Sequence, residues 1–186
     1  MNHSNLQPWK TLKTDDIFVA EPWLKLSVQQ VQLPDGRVVD EYYQIQLQDY
    51  ALIVAQVPDG RIIMVRQYKH GIGRVSLMLP GGGLMDGETA IAAAQRELLE
   101  ETGYLAEDWQ QLCSFVSSAN YRCSQGYIIA AHNARLVAEP NSGDLEEMDI
   151  VLMTPEEVIA AVQRGEVVAL GSVAAIALAL NLRFRT

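Results

Sequence analysis

One stretch limits what this chain can become more than any other: Gly82 to Tyr104, GGLMDGETAIAAAQRELLEETGY. Its approach, Leu79-Pro80-Gly81-Gly82-Gly83, is a loop, because a proline followed by three glycines cannot hold a helix. From about Thr89 onward the residues are good helix formers, Ala, Gln, Arg, Glu and Leu, and Gly103 supplies a stop. At about 100° per residue, Ile91, Ala94 and Leu98 share an apolar arc while Glu97, Glu100 and Glu101 cluster on its flank. Spacings of i, i+3 and i+4 bring the three carboxylates within one turn of each other. As helix design this is poor, since acids crowd the last turn, where the macrodipole favours cations, and repel one another. A hard divalent cation, magnesium or manganese, would remove both objections. Taken alone, the three acids equally describe a solvated helix end.

The remainder of the stretch decides between those readings. Its spacing is Gly82, five residues, Glu88, seven residues, Arg96-Glu97-Leu98-x-Glu100-Glu101-x-Gly103-Tyr104. This resembles the signature of the Nudix hydrolase family, G-x5-E-x7-R-E-U-x-E-E-x-G-U with U a bulky apolar residue, at every position; Tyr104 is the loosest match. Seven fixed residues would coincide by chance at a given start about once in 10^8. The resemblance implies an α+β fold, a mixed sheet sandwiched by helices, with metal held by the loop and helix. It implies Glu97, Glu100 and Glu101 as ligands with the Gly81 carbonyl, and Arg96 with Glu88 as the pair that holds the loop against the helix.

Size and charge narrow the partners. The chain has 186 residues, enough for one domain plus a small appendage. A formal charge of −9 argues against nucleic acid or an anionic membrane as the main partner, since both call for a basic surface. Cys113 and Cys123 form neither a metal spacing nor a secreted disulfide framework, which points to reduced thiols in a cytoplasmic protein. The opening MNHSNLQPWK is polar and reads as no leader, and the apolar run Val167–Leu180, broken by Gly171-Ser172, is too short to span a bilayer.

Taken in order, residues 1–15 read as frayed. Ile17 to Leu33 and Arg37 to Leu47 read as two strands around the Pro34-Asp35-Gly36 turn, a small antiparallel sheet that gives residues 1–48 as a unit before a main domain at 49–186. Ala51–Val57 and Arg61–Gln67 read as a hairpin, and Val75–Leu79 as a short strand after a polar loop. Leu112–Ser117, Tyr127–Val137 and Met148–Met153 read as later strands. Thr154 and Pro155 mark the start of a helix that Gly165 ends, and Gly171-Ser172 opens the last one.

Within the family, the N-terminal sheet and the wording of residues 31–37 and 66–83 are similar to the ADP-ribose pyrophosphatase group. That similarity implies a small-molecule nucleotide substrate, hydrolysed to a nucleoside monophosphate and a sugar phosphate. It also implies a homodimer whose N-terminal sheet helps form the neighbour's base pocket. Trp23 and Phe18 are then the candidates for stacking on a base, though a buried strand position suits either aromatic as well. Arg66, Lys69 and Arg74 are candidate diphosphate contacts. The catalytic base falls in the late acidic loop, Glu146 first and Glu147 second, by similarity to a stretch that ends acid–Asp–Ile. Four positions depart from the group: Lys69 for arginine, Met78 for glutamate, Gly81 for alanine and Asn120 for proline. Of these, Asn120 and Met78 favour the rival reading, a nucleoside triphosphate or dinucleotide hydrolase. A nucleotide-binding module without turnover is the remaining reading, although such modules often lose signature acids and all are present here.

Overall fold

The computed structural model describes residues 6–141, 143 and 147–181. In chain order the strands are β1 (Lys10–Ala20), β2 (Leu24–Gln32), β3 (Val38–Leu47), β4 (Tyr50–Ala55), β5 (Ile62–Lys69), β6 (Arg74–Met78), β7 (Tyr104–Ser118), β8 (Arg122–Leu136) and β9 (Met148–Met153). Helices α1 (Ala90–Thr102), α2 (Pro155–Gln163) and α3 (Leu170–Leu180) complete the set. The chain forms two compact units, 1–48 with 116–125, and 49–115 with 126–186.

In the first unit β1, β2 and β3 form an antiparallel meander, with Thr14 opposite Gln29 and Val28 opposite Tyr43. The first residues of β8 pair in parallel with β3, at Ile45 with Arg122 and Gln46 with Cys123. The Tyr42 hydroxyl donates to the Asn120 carbonyl (2.7 Å), and the Trp9 ring meets Tyr42 edge-on at 5.8 Å. Two expectations are corrected here. Residues from Lys10 onward are not frayed but paired, and the single strand expected over 17–33 is two strands reversed at Glu21-Pro22-Trp23. That turn lacks Gly, Asn and Asp, and β1 is almost entirely exposed, so backbone pairing rather than an apolar pattern defines it.

The second unit is organised around β4. Ala51, Ile53 and Ala55 face one core with Ala93, Ala94 and Leu98 of α1. Val54 faces the other with Val158 and Ala161 of α2 and Ala175 and Ile176 of α3. Alternation along one strand thereby puts a helix layer on each side, the sandwich that the signature implied. Strand β8 lies parallel to β4, from Tyr50 opposite Gly126 to Ala55 opposite Ala131. A second sheet, β6-β5-β9, is antiparallel throughout. Its central strand alternates likewise, with Ile63 in the α1 core and Ile62 and Met64 in the α2–α3 core.

Local chemistry sets the helix ends. Thr89 Oγ1 accepts from the Ala92 N–H (3.2 Å), and Gly103, at φ +73°, closes α1 by donating to Leu99. Thr154 and Glu157 form a reciprocal capping box with Pro155 at the first position. Helix α3 begins at Leu170, one residue before the expected Gly171. A Cβ at Gly171 would meet the Leu52 side chain and lie 3.3 Å from the Tyr50 hydroxyl, so glycine permits that close approach. Strands β7 and β8 are longer than the expected 112–117 and 127–137, with only 119–121 between them. Asp108, Arg122, Cys123 and Asn133 all have φ between 51° and 66°, irregularities that break the alternating pattern. Among the described residues no helix is long and apolar enough to cross a membrane.

Candidate active site

The loop before α1 is fastened to β4 through its backbone. Ile53 N–H donates to Pro80, Ala51 N–H to Gly82, and Leu84 N–H to Asp49, each at 2.8–2.9 Å. Between the two loop carbonyls so used, Gly81 turns its N–H to Glu101 Oε2 (2.8 Å), and its own carbonyl takes no part in the pairing. Gly81 has φ +153°, and a Cβ there would run into the Ala51 carbonyl. The alanine usual in the ADP-ribose group would therefore need this segment to stand further off β4. A Cβ on Gly82 would instead meet the Glu97 carboxylate, so the helix acid packs directly against loop backbone.

Arg96 is the hub. Its Nε and Nη2 grip both oxygens of Glu88 (3.1 and 2.9 Å), and Nη2 also donates to the Gly83 carbonyl (2.9 Å). Nη1 donates to Glu97 Oε1 (2.6 Å) and Glu100 Oε2 (3.2 Å). A guanidinium has five N–H donors, and these five acceptors employ all of them. Glu88 also accepts from the Met85 N–H (2.9 Å). The Arg96 contact first and this backbone bond second hold its carboxyl below the usual range. Arg96 is pushed the other way by the same Glu88 contact, with Glu97 and Glu100 adding to it. The expected pairing of Arg96 with Glu88 is thus present, and it reaches further, into two of the three expected metal ligands.

The donor set suits a hard divalent cation: three carboxylates on one helical turn, one of them (Glu101) only 7% exposed, with loop carbonyls alongside. As positioned, Glu97 and Glu100 turn to Arg96 and Glu101 to Gly81. Among the described residues no three His, Cys, Asp or Glu side chains gather as a metal cluster. The cavity that a Gly82 side chain would fill is taken by the Glu97 carboxylate, so loop and acids are built as one unit.

The other expected residues fall in several places. Glu146 lies outside the described residues; Glu147 is exposed, immediately before β9. Phe18 is 55% and Trp23 75% exposed, so neither has the buried strand position that was the competing expectation. Lys69 ends β5 and is half-buried. By alternation it shares a face with Val65 and Ile63, the α1 side, and Arg66 takes the opposite one. Arg66 and Arg74 meet instead around a cavity with Arg164 and Glu166. No residue of the signature loop lines that cavity. Strand parity turns Arg66 from the α1 side, whereas Arg74 stands opposite Lys69 in the β5–β6 register and reaches the cavity at the edge of β6. At the Met78 departure, Gln67 Nε2 donates to the methionine sulfur at 3.8 Å, a weak acceptor. Gln67 Oε1 is buried with no partner among the described residues. The Arg164–Glu166 contribution carried no sequence signal, because those residues stand far along the chain from Arg66 and Arg74.

The Nudix domain family model matches residues 46–170, and the nucleoside diphosphate sugar hydrolase N-terminal domain model matches residues 9–45. An ADP-ribose pyrophosphatase of Bacillus subtilis (strain 168) is 30% identical over 85% of this chain and 85% of its own length. A methanol dehydrogenase activator of Bacillus methanolicus is 30% identical over 81% of this chain and 80% of its own. A solved structure of an ADP compounds hydrolase superposes with a TM-score of 0.79, covering 93% of this chain and 92% of the other at 20% identity, a likeness of fold. With its signature helix capped, its loop fastened to β4 and these matches running along most of its length, the chain belongs to the Nudix domain family.

Proposed function

We propose that the chain hydrolyses the phosphoanhydride bond of a nucleoside diphosphate linked to a sugar, with ADP-ribose the leading substrate. Water adds across the P–O–P linkage, giving a nucleoside monophosphate and a sugar phosphate, with two protons released when both products are dianions. The observation that carries this reading is the Arg96 hub, which fixes Glu88, Glu97 and Glu100 and the Gly83 carbonyl about one guanidinium. Two relatives support it, the pyrophosphatase of B. subtilis and an ADP-sugar pyrophosphatase of Mus musculus, 33% identical over 53% of this chain.

Glu97, Glu100, Glu101 and the Gly81 carbonyl would hold Mg2+ or Mn2+. When bound, the ion supplies charge neutralisation on the diphosphate and a more acidic water. The chain's own residues set the conditions for that. Arg96 and Glu88 keep loop and helix together, and the Gly81 N–H fixes Glu101. Glu146, with Glu147 as second choice, orients the attacking water and takes its proton. Lys69 faces the α1 side and offers a point charge to the diphosphate. The exposed Trp23 and Phe18 offer a stacking surface in a homodimer, which also accounts for an N-terminal sheet with little buried interior. The unpaired Cys113 and Cys123 accord with a cytoplasmic setting.

The test is release of nucleoside monophosphate across a panel of nucleotide sugars, dinucleotides and nucleoside triphosphates with Mg2+ or Mn2+, beside Glu101→Gln. ADP-ribose or a related sugar nucleotide should be hydrolysed fastest, and the variant should lose about 10^2-fold or more in kcat. Full activity in Glu101→Gln would remove the assignment, and preference for a triphosphate would move the substrate class.

A further inference from the structure

A second concentration of charge lies away from the signature loop. Arg66, Arg74 and Arg164 line a cavity of about 350 Å³ together with Ser76, Gly165 and Glu166. In a chain of net charge −9, three of the 14 basic side chains converge on this one concavity. Arg66 comes from β5, Arg74 from β6, and the other two charged groups from the turn that ends α2.

The cavity is constructed rather than incidental. Arg74 Nη2 donates to the Gly165 carbonyl (3.1 Å), and the buried Ser76 hydroxyl donates to the Glu166 carbonyl (2.9 Å). The Leu77 N–H donates to that same carbonyl (2.9 Å). Edge strand β6 and the turn after α2 are thereby joined at three points. Arg164 Nε is engaged by Glu166 Oε1 at 2.6 Å. That contact first, and the more distant Arg66 charge also, hold the Glu166 carboxyl below its usual range. Arg66 makes no ion pair among the described residues; Asp149 stands opposite it in the β5–β9 register. Among the described residues three guanidiniums thus face two carboxylates, leaving an excess of positive charge with N–H donors on Arg66 and Arg74 that no described residue uses.

Guanidinium forks match tetrahedral oxyanions through paired N–H···O bonds. We propose that this cavity binds the phosphate of a phosphate monoester, at a site separate from the metal loop. By strand alternation Arg66 is on the α2–α3 side of β5, whereas the glutamates belong to α1. The choice of a monoester rests on the hydrolase reading, because both products of that reaction are phosphate monoesters; the anion site itself does not.

Calorimetric titration of the full chain in EDTA tests this, using inorganic phosphate, ribose 5-phosphate and AMP in separate arms at constant ionic strength. One equivalent of each monoester should bind wild type. Arg66→Gln and Arg164→Gln should each weaken binding about tenfold, and Arg66→Lys should recover part of it. Glu166→Gln, which releases Arg164, should tighten it, a gain that mere structural damage would not give. Glu101→Gln should bind as wild type does. Absent binding, unaltered binding in the arginine variants, or loss in Glu101→Gln would overturn the proposal. Binding of inorganic phosphate with exclusion of both monoesters would overturn the monoester assignment. Binding by a chain that hydrolyses nothing would leave the site standing and remove the enzymatic reading instead.

Discussion

The two units are stabilised by different means. Among the described residues of the first, only Ser27, Val31 and Ser124 are buried, while Trp9, Ile17, Phe18, Val19 and Trp23 stand exposed. In the second, two core clusters pack both faces of β4. The second unit therefore carries its own hydrophobic driving force, and the first depends on its hydrogen-bonded ladder. A small sheet with so few buried side chains is marginal alone, and large exposed apolar side chains are the kind of surface that a protein partner uses. The pattern fits the proposed homodimer and tells where its contacts are to be sought.

The largest expected effect comes from dividing the molecule there. Deletion of residues 1–47 should leave the second unit with a cooperative thermal transition, since none of its core comes from that segment. Dimer, measured by light scattering, and turnover should both be lost. A truncated chain that stays fully active would break the comparison by showing that the first unit adds nothing to the site.

Next in size is Arg96→Lys. Lysine cannot reproduce a five-donor fork, so Glu97 and Glu100 should lose their fixed orientation, with turnover down about 10- to 100-fold. Unfolding should show a loss of about 2 kcal/mol. The pH dependence supplies a sign. The folded-state pKa of Glu88 is depressed below 4.5, so its contribution is present above that value and is lost as pH falls through the folded one. Below about pH 4.5 the stability difference between wild type and Arg96→Lys should therefore shrink; a constant difference down to pH 3 would mean that Glu88 is not the partner that matters.

Neighbouring glycines give a finer contrast. Gly81→Ala puts a methyl against the Ala51 backbone at a positive φ and should destabilise the second unit. Gly82→Ala meets only the end of the Glu97 side chain, so stability should hold while turnover falls about tenfold through a displaced carboxylate. Thermal unfolding and kcat measured on both would separate the roles. Equal stability losses would mean that the whole loop is rigidly seated.

These residues also show where the sequence was readable. Everything fixed by near neighbours was legible: the α1 span, the Gly103 stop, the Thr154-Pro155-Glu157 start and the acids on one turn. What depended on distant contacts was not. Strand β1 has no apolar alternation to announce it, and Pro22, which a strand interior does not accept, was the one local mark of the reversal. Positive φ at Asp108 in β7 and at Arg122 and Cys123 in β8 marks the irregular parts that the alternating pattern missed. Sequence order alone makes Arg66 and Arg74 candidate diphosphate contacts beside Lys69. Strand parity, visible only once β5 had its neighbours, sends Arg66 away from the glutamates.

The smallest effect gives the sharpest test of the two-unit contrast. Trp23 is 75% exposed in the turn between β1 and β2, so Trp23→Ala should change the unfolding free energy of the chain by less than about 0.5 kcal/mol. Leu98→Ala, fully buried in the α1 core, should cost about 2–5 kcal/mol in the same assay. If Trp23 stacks on a base, losing the aromatic face removes about 0.5–1.5 kcal/mol of binding. That corresponds to a KM about two- to tenfold higher with kcat unchanged, since stacking on the nucleoside is present in ground and transition states alike. Phe18→Ala, measured beside it, decides which aromatic carries the contact. A fall in kcat at constant KM would place Trp23 with the chemistry rather than with binding. No kinetic change in either variant would leave both side chains to the dimer contact, where a shift in the monomer–dimer equilibrium should then appear.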